Sequence, residues 1–189
     1  MLLLDSKVNI HLTFNSFHTP FFDSFFTYIT YLGDGVTALL VTIMLLAVKY
    51  RYVLIVGLSN IIASLVTQVL KQTVFADALR PKKYFEGLQD LYFIPGVKNF
   101  LYYSFPSGHT TCAFALYFSL SLIVKSNSLK LLFFIIALLV GYSRVYLSQH
   151  FFEDIYAGSL IGVFVTWMVY NFIKKSDSET LERSLITIF

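Results

Sequence analysis

Five long apolar stretches decide which solvent this chain can fold in. A helix that crosses a bilayer needs roughly 20 mostly apolar residues. By that measure, stretches run from about Phe25 to Val48, Tyr52 to Leu70, Gly108 to Val124, Leu129 to Tyr146 and Phe152 to Ile173. They lack period-2 alternation and exceed the length of barrel strands, so helices are expected. Charged residues make up 13% of the 189, about half the share usual in a soluble domain. The expectation is an all-α fold, a polytopic transmembrane helical bundle. Residues 8–22 mix Val8, Ile10, Leu12 and Phe14 with Asn9, His11, Thr13 and Asn15 before Pro20. Two readings stand together: a disordered or interfacial lead-in, and a short helix in the headgroup layer. If this segment crosses the membrane with part of residues 20–32, the count is six spans rather than five.

The length suits one membrane-embedded domain over residues 1–189. It would carry a lead-in at 1–22, a long connection at 71–106 and a tail at 174–189. The net charge of +3 is too small to suggest nucleic acid. Cys112, the single cysteine, has no intramolecular disulfide partner. Met1 to Leu4 followed by Asp5 and Lys7 does not have a signal-peptide pattern, so retention by the chain's own spans is expected. Gly33-Asp34-Gly35 interrupts the first stretch. An acid at such depth should face protein or water. A polar contact holding a kink is the plainer account of Asp34, and a place at the active site the other.

The connection from Lys71 to Phe105 holds Pro81, Gly87, Pro95 and Gly96 and is rich in Tyr and Phe. Connections this long are commonly functional. Its rings could anchor the chain at the membrane–water interface or guide a lipid tail. With five spans this connection shares a side with the Arg144–Phe151 turn. Lys49, Arg51, Lys125, Lys130, Lys174 and Lys175 fall on the other side, which the positive-inside rule assigns to the cytoplasm.

Three polar clusters sit at span ends on the first side: Lys71 with Arg80-Pro81, then Pro106-Ser107-Gly108-His109, then Ser143-Arg144 with His150 and Asp154. The second reads as a helix start, with proline in the first turn and glycine allowing close backbone approach. Its free N–H groups would attract an anion such as phosphate, and His109 could carry a proton. A capped helix entry beside a solvated histidine explains it equally well. His150 and Asp154 are four apart and would share a helix face. Asp154 could then hold the Nδ1–H of His150 and leave Nε2 as nucleophile or base. Arg144 offers a planar fork of donors for phosphate oxygens. Lys71 and Arg80 add positive charge, although a lysine at a helix end often only snorkels. No metal is expected, because the sequence has neither a cysteine cluster nor a His-Glu-x-x-His pattern.

These clusters resemble the three-part signature of the type 2 phosphatidic acid phosphatase family, which is related to soluble vanadium haloperoxidases. The second part is Pro106-Ser107-Gly108-His109. The third is Ser143-Arg144, five residues, His150, three residues, Asp154. The first is looser, with eight residues rather than six between Lys71 and Arg80-Pro81. The resemblance covers the second stretch through the fifth. It implies a lipid phosphatase in which His150 attacks phosphorus, Asp154 orients it and His109 protonates the leaving oxygen. Lys71, Arg80, Ser107, Gly108 and Arg144 would hold the phosphate, with no metal or organic cofactor. With the orientation read from the lysines and arginines, the expected setting is the bacterial inner membrane with the site facing the periplasm or exterior. By analogy the substrate would be undecaprenyl diphosphate. Phosphatidylglycerol phosphate, phosphatidic acid and lipid A phosphates are alternatives, as is phosphotransfer to another acceptor. A non-catalytic protein of the same fold is the least favoured reading. The oligomeric state stays open.

Overall fold

The computed structural model describes residues 6–188. The first five residues of the expected lead-in, and Phe189, lie outside them. The described residues form eight α-helices: α1 (Lys7–Asn15), α2 (Pro20–Ile29), α3 (Gly35–Leu45), α4 (Tyr50–Thr73), α5 (Pro81–Tyr84), α6 (Gly108–Ile123), α7 (Asn127–Tyr146) and α8 (Phe152–Lys174). A 3₁₀ turn, Thr30–Gly33, joins α2 to α3, and two more follow α8. No strand occurs among the described residues.

Helices α4, α7 and α8 are each long and apolar enough to cross a membrane, and α2 with α3 qualifies as a fourth, bent by 53°. Helix α6 is apolar but has only 16 residues, about 24 Å at 1.5 Å per residue. Length and composition therefore mark three or four candidate spans among the described residues, short of the five or six expected. The first stretch departs most from expectation. Asp34 ends the 3₁₀ turn, adopts an extended backbone and accepts the Val36 N–H at 3.1 Å, which starts a new helix.

Small residues set how closely the bundle packs. Gly158 and Gly162 lie one turn apart on α8, facing α6. A Cβ on Gly158 would stand 2.7 Å from the Ser107 carbonyl oxygen, and one on Gly162 2.6 Å from that of Thr111. Such glycine pairs let helix backbones approach in a membrane, where dispersion rather than water exclusion drives association. Val56, Cys112, Ala113, Leu116, Ala137 and Val140 fill the space between α4, α6 and α7. Many large apolar side chains outside this core are exposed, including Leu65, Leu131, Phe164 and Phe172, as expected of helices facing lipid.

Residues 8–22 contain α1, which lies across the start of α8 and the end of α7. Lys7 pairs with Glu153 at 3.4 Å, His11 Nε2 meets Ser148 Oγ at 3.2 Å, and Asn15 donates to Ser148 Oγ at 3.1 Å. At the other end of the bundle, Glu182 in the tail pairs with Lys49 and Arg51, each at 2.5 Å.

Candidate active site

The turn between α7 and α8 supplies the central histidine. Ser148 takes a left-handed conformation (φ 51°), and the N–H groups of Gln149 and His150 both donate to the Arg144 carbonyl. This folds the chain back under the end of α7 and buries His150 almost completely. Helix α8 begins only at Phe152, so His150 and Asp154 do not share a helix face as expected. Asp154 instead reaches back as a capping residue. Its Oδ2 accepts the Phe151 N–H at 3.0 Å and lies 3.1 Å from His150 Nδ1. Ser104 Oγ donates to the same oxygen at 2.5 Å. The carboxylate therefore starts the helix and orients the imidazole together, leaving Nε2 for chemistry.

Basic side chains surround that imidazole. Burial first, then the charges of Arg80, Lys71 and Arg144 with His109, hold its pKa well below the usual 6.5. Both effects favour the neutral ring, the form in which Nε2 can attack. Hydrogen bonds from Arg80 to the Gln149 carbonyl and from the Ser107 N–H to the Asp154 carbonyl bring the three sequence clusters together. Lys71, at the end of α4, donates to the Tyr103 carbonyl at 2.9 Å. Arg80 donates through Nε to the Tyr102 carbonyl at 2.9 Å and through Nη1 to that of Gln149 at 3.1 Å. Burial lowers the pKa of its guanidinium, and Asp154 partly offsets that. Arg144 donates through Nη1 to Thr30 Oγ1 at 2.6 Å. Its Nε is buried and has no partner among the described residues. An unmet buried donor costs roughly 1–3 kcal/mol, and an anion's oxygen could meet it.

Ser107 caps α6. Its Oγ accepts from the Thr110 hydroxyl at 2.9 Å, and its N–H donates to the Asp154 carbonyl at 3.0 Å. That bond joins the start of α6 to the start of α8. Gly108 has open space where a Cβ would stand. With His109 it lines a cavity of about 190 Å³, shared with Gly33, Asp34, Thr67 and Gln68. Among the described residues, no three His, Cys, Asp or Glu side chains gather as a metal site. The arrangement combines an oriented neutral imidazole, a second imidazole and a cationic surround, a set suited to phosphoryl transfer.

Several supporting residues carry no sequence signal. Ser104 precedes the second motif and meets Asp154 only because the chain doubles back. Thr30 reaches Arg144 through the break in the first stretch. Gln149 Nε2 donates to the Lys98 carbonyl at 2.8 Å and to Asn99 Oδ1 at 2.6 Å, fastening the turn to the long connection. The aromatics of that connection divide their work. Phe85 is buried against His11 and Phe151, whereas Phe100, Tyr102 and Tyr103 are about half exposed.

Residues 52–178 match the PAP2 superfamily. Two curated relatives are each named lipid A 4'-phosphatase. The one from Bacteroides thetaiotaomicron is 26% identical over 89% of this chain and 77% of its own length. The one from Porphyromonas gingivalis is 29% identical over 96% and 79%. Among solved structures, Aquifex aeolicus LpxE superposes with a TM-score of 0.77 at 28% identity, covering 87% of this chain and 94% of that one. A transmembrane PAP2-type phosphatidylglycerolphosphate phosphatase from Bacillus subtilis gives 0.75 at 26% identity, covering 94% and 89%.

Proposed function

Because this chain belongs to the PAP2 superfamily, as an integral membrane lipid phosphatase, we propose that it removes a phosphate from a lipid A-type glycolipid through a phosphohistidine on His150. The observation that carries the chemistry is the buried His150, held by Asp154 at 3.1 Å, with Arg80, Lys71 and Arg144 close enough to disfavour its charged form. The choice of headgroup rests on the two relatives named lipid A 4'-phosphatase. Undecaprenyl diphosphate, expected by analogy, has no such support.

In the first step His150 Nε2 forms a bond to phosphorus while the bond from phosphorus to the lipid-side oxygen breaks. The electron pair goes to that oxygen, which takes a proton from His109. Asp154 stabilises the charge that develops on the His150 ring. Lys71, Arg80, Arg144, the Ser107 hydroxyl and the Gly108 N–H hold the phosphate oxygens as charge shifts. In the second step neutral His109 takes a proton from water. The resulting hydroxide attacks phosphorus, and the nitrogen–phosphorus bond breaks with its pair returning to His150. Inorganic phosphate leaves.

On this reading the site faces outward from the bacterial inner membrane. Lys49, Arg51, Lys125, Lys130, Lys174 and Lys175 belong to the opposite end, which supports that orientation. The test is phosphate release by purified protein in detergent from lipid A, phosphatidylglycerol phosphate and undecaprenyl diphosphate. Lipid A is expected to give the highest kcat/KM. A preference for phosphatidylglycerol phosphate would favour the activity of the Bacillus subtilis neighbour.

A further inference from the structure

The break in the first apolar stretch is built into the site. Thr30 holds Arg144 at 2.6 Å, and the Tyr117 hydroxyl donates to the Leu32 carbonyl at 3.1 Å. Gly33 lies so close to α6 that a Cβ there would stand 2.8 Å from the His109 carbonyl oxygen. The next residue, Asp34, lines the 190 Å³ cavity with His109 and Gly108. Its Oδ1 caps α3 by accepting the Val36 N–H. Asparagine or serine caps as well as aspartate, so capping does not explain a charge within an apolar stretch, where charges are costly.

The charges facing His109 do explain it. Lys71 faces it from α4, Arg80 from the long connection, Arg144 from α7 and Asp34 from the break. The His150 imidazole faces it from the turn, and the Cys112 thiol lines the same cavity from the next turn of α6. Asp154 is already engaged with His150, Ser104 and the Phe151 N–H. Asp34, with Oδ1 on the Val36 N–H, is thus the second carboxylate set against the three cations. A general acid must arrive protonated, yet burial first, and then the surrounding cations, disfavour the His109 imidazolium. We infer that Asp34 is the positioning residue for His109: its negative charge across the shared cavity opposes the burial and the three cations that disfavour the imidazolium, so that His109 can carry a proton to the leaving oxygen. This rests on the reading of His109 as the acid. The cavity has room for water to relay the contact.

Asp34→Asn keeps the cap and removes the charge, which makes it the decisive variant. Its kcat on a lipid phosphate, whose alkoxide must be protonated, should fall by about tenfold or more, with KM within about twofold. The basic limb of its pH–rate profile should move to lower pH, because His109 loses its proton earlier. The initial burst of 4-nitrophenolate from 4-nitrophenyl phosphate, which reports the first step alone and whose phenolate leaves unprotonated, should keep a rate within about twofold of the unmodified protein. Asp34→Ala, which also loses the cap, should unfold at lower temperature while Asp34→Asn does not. Equal losses on both substrates, no loss on either, or an unmoved basic limb would overturn the inference alone. If the unmodified protein released no phosphate from any lipid tested, the phosphatase reading and this inference would fall together.

Discussion

Alanine at Gly162 should reduce activity far more than it reduces folding. The added Cβ would meet the Thr111 carbonyl oxygen at 2.6 Å and the Ala115 nitrogen at 2.9 Å. Both are backbone atoms of α6, so no side chain can swing aside. Ordinary contact begins at 3.4 Å, so α8 must retreat from α6 by about 0.8 Å. The two helices carry different halves of the site. Helix α6 begins with Gly108 and His109, and α8 begins just after His150 and carries Asp154. A displacement near 1 Å in reacting groups costs about 100-fold in rate, while overpacking costs about 1–3 kcal/mol in stability. Gly162→Ala should therefore lose roughly 30- to 100-fold in kcat on a lipid phosphate and keep a cooperative unfolding transition. Gly141→Ala on α7 is the control. Its Cβ would meet Thr110 Cγ2 at 3.5 Å, an ordinary contact, and activity should stay within about twofold while alanine's better helix propensity helps stability. Phosphate release and thermal unfolding in one detergent measure both effects. Normal kcat in Gly162→Ala would refute the claim that this crossing sets the distance between the two histidines.

Further outcomes follow from named contacts. His150→Ala should abolish phosphate release without loss of expression, and acid-labile, base-stable radiolabel from a phosphate-labelled lipid should appear only on protein retaining His150. Ser104→Ala removes a charge-assisted bond to Asp154, worth roughly 1.5–3 kcal/mol; kcat should fall about tenfold or more, and an unchanged kcat would deny Asp154 its orienting role. Burial holds the His11 pKa at about 4, below the ordinary 6.5. Above pH 6.5 this has no effect; below it the unfolded chain takes up a proton first, so stability should fall by up to about 3 kcal/mol toward pH 4. Thermal unfolding of His11→Phe should depend less on pH across that window, and identical profiles would remove His11 as the cause. Vanadate, which can adopt a five-coordinate geometry, should inhibit at micromolar to millimolar concentration, and indifference would count against attack by His150.

The parts legible in the sequence were those governed by local pattern. Helices α4, α7 and α8 follow their apolar stretches within a few residues because lipid-facing helices need only length and hydrophobicity. The spacing of His150 and Asp154 announced a pair, yet for an incomplete reason. The pair forms through a capping carboxylate at a helix start, a geometry that four-residue spacing also permits. The break at Thr30–Asp34 was visible as Gly-Asp-Gly, but its contact with Arg144 and His109 was not, since it joins segments about a hundred residues apart. Ser104 and Gln149 were silent for the same reason: short polar residues in a connection acquire meaning only when the chain returns to them. Helix α1 was left open because its mixed pattern matches neither a span nor a linker, and its place comes from contacts with Glu153 and Ser148.

The long connection leaves and returns through one neck. The Arg80 N–H donates to the Leu101 carbonyl at 2.9 Å, and the Ser104 N–H to that of Ala78 at 3.0 Å. Lys71 and Arg80 both fasten to the adjoining Tyr102–Tyr103 pair. A clasp of this kind uncouples the excursion from its base. Residues 86–90, all exposed, can then drift in composition, retuning what meets the membrane surface while the charges beneath stay anchored.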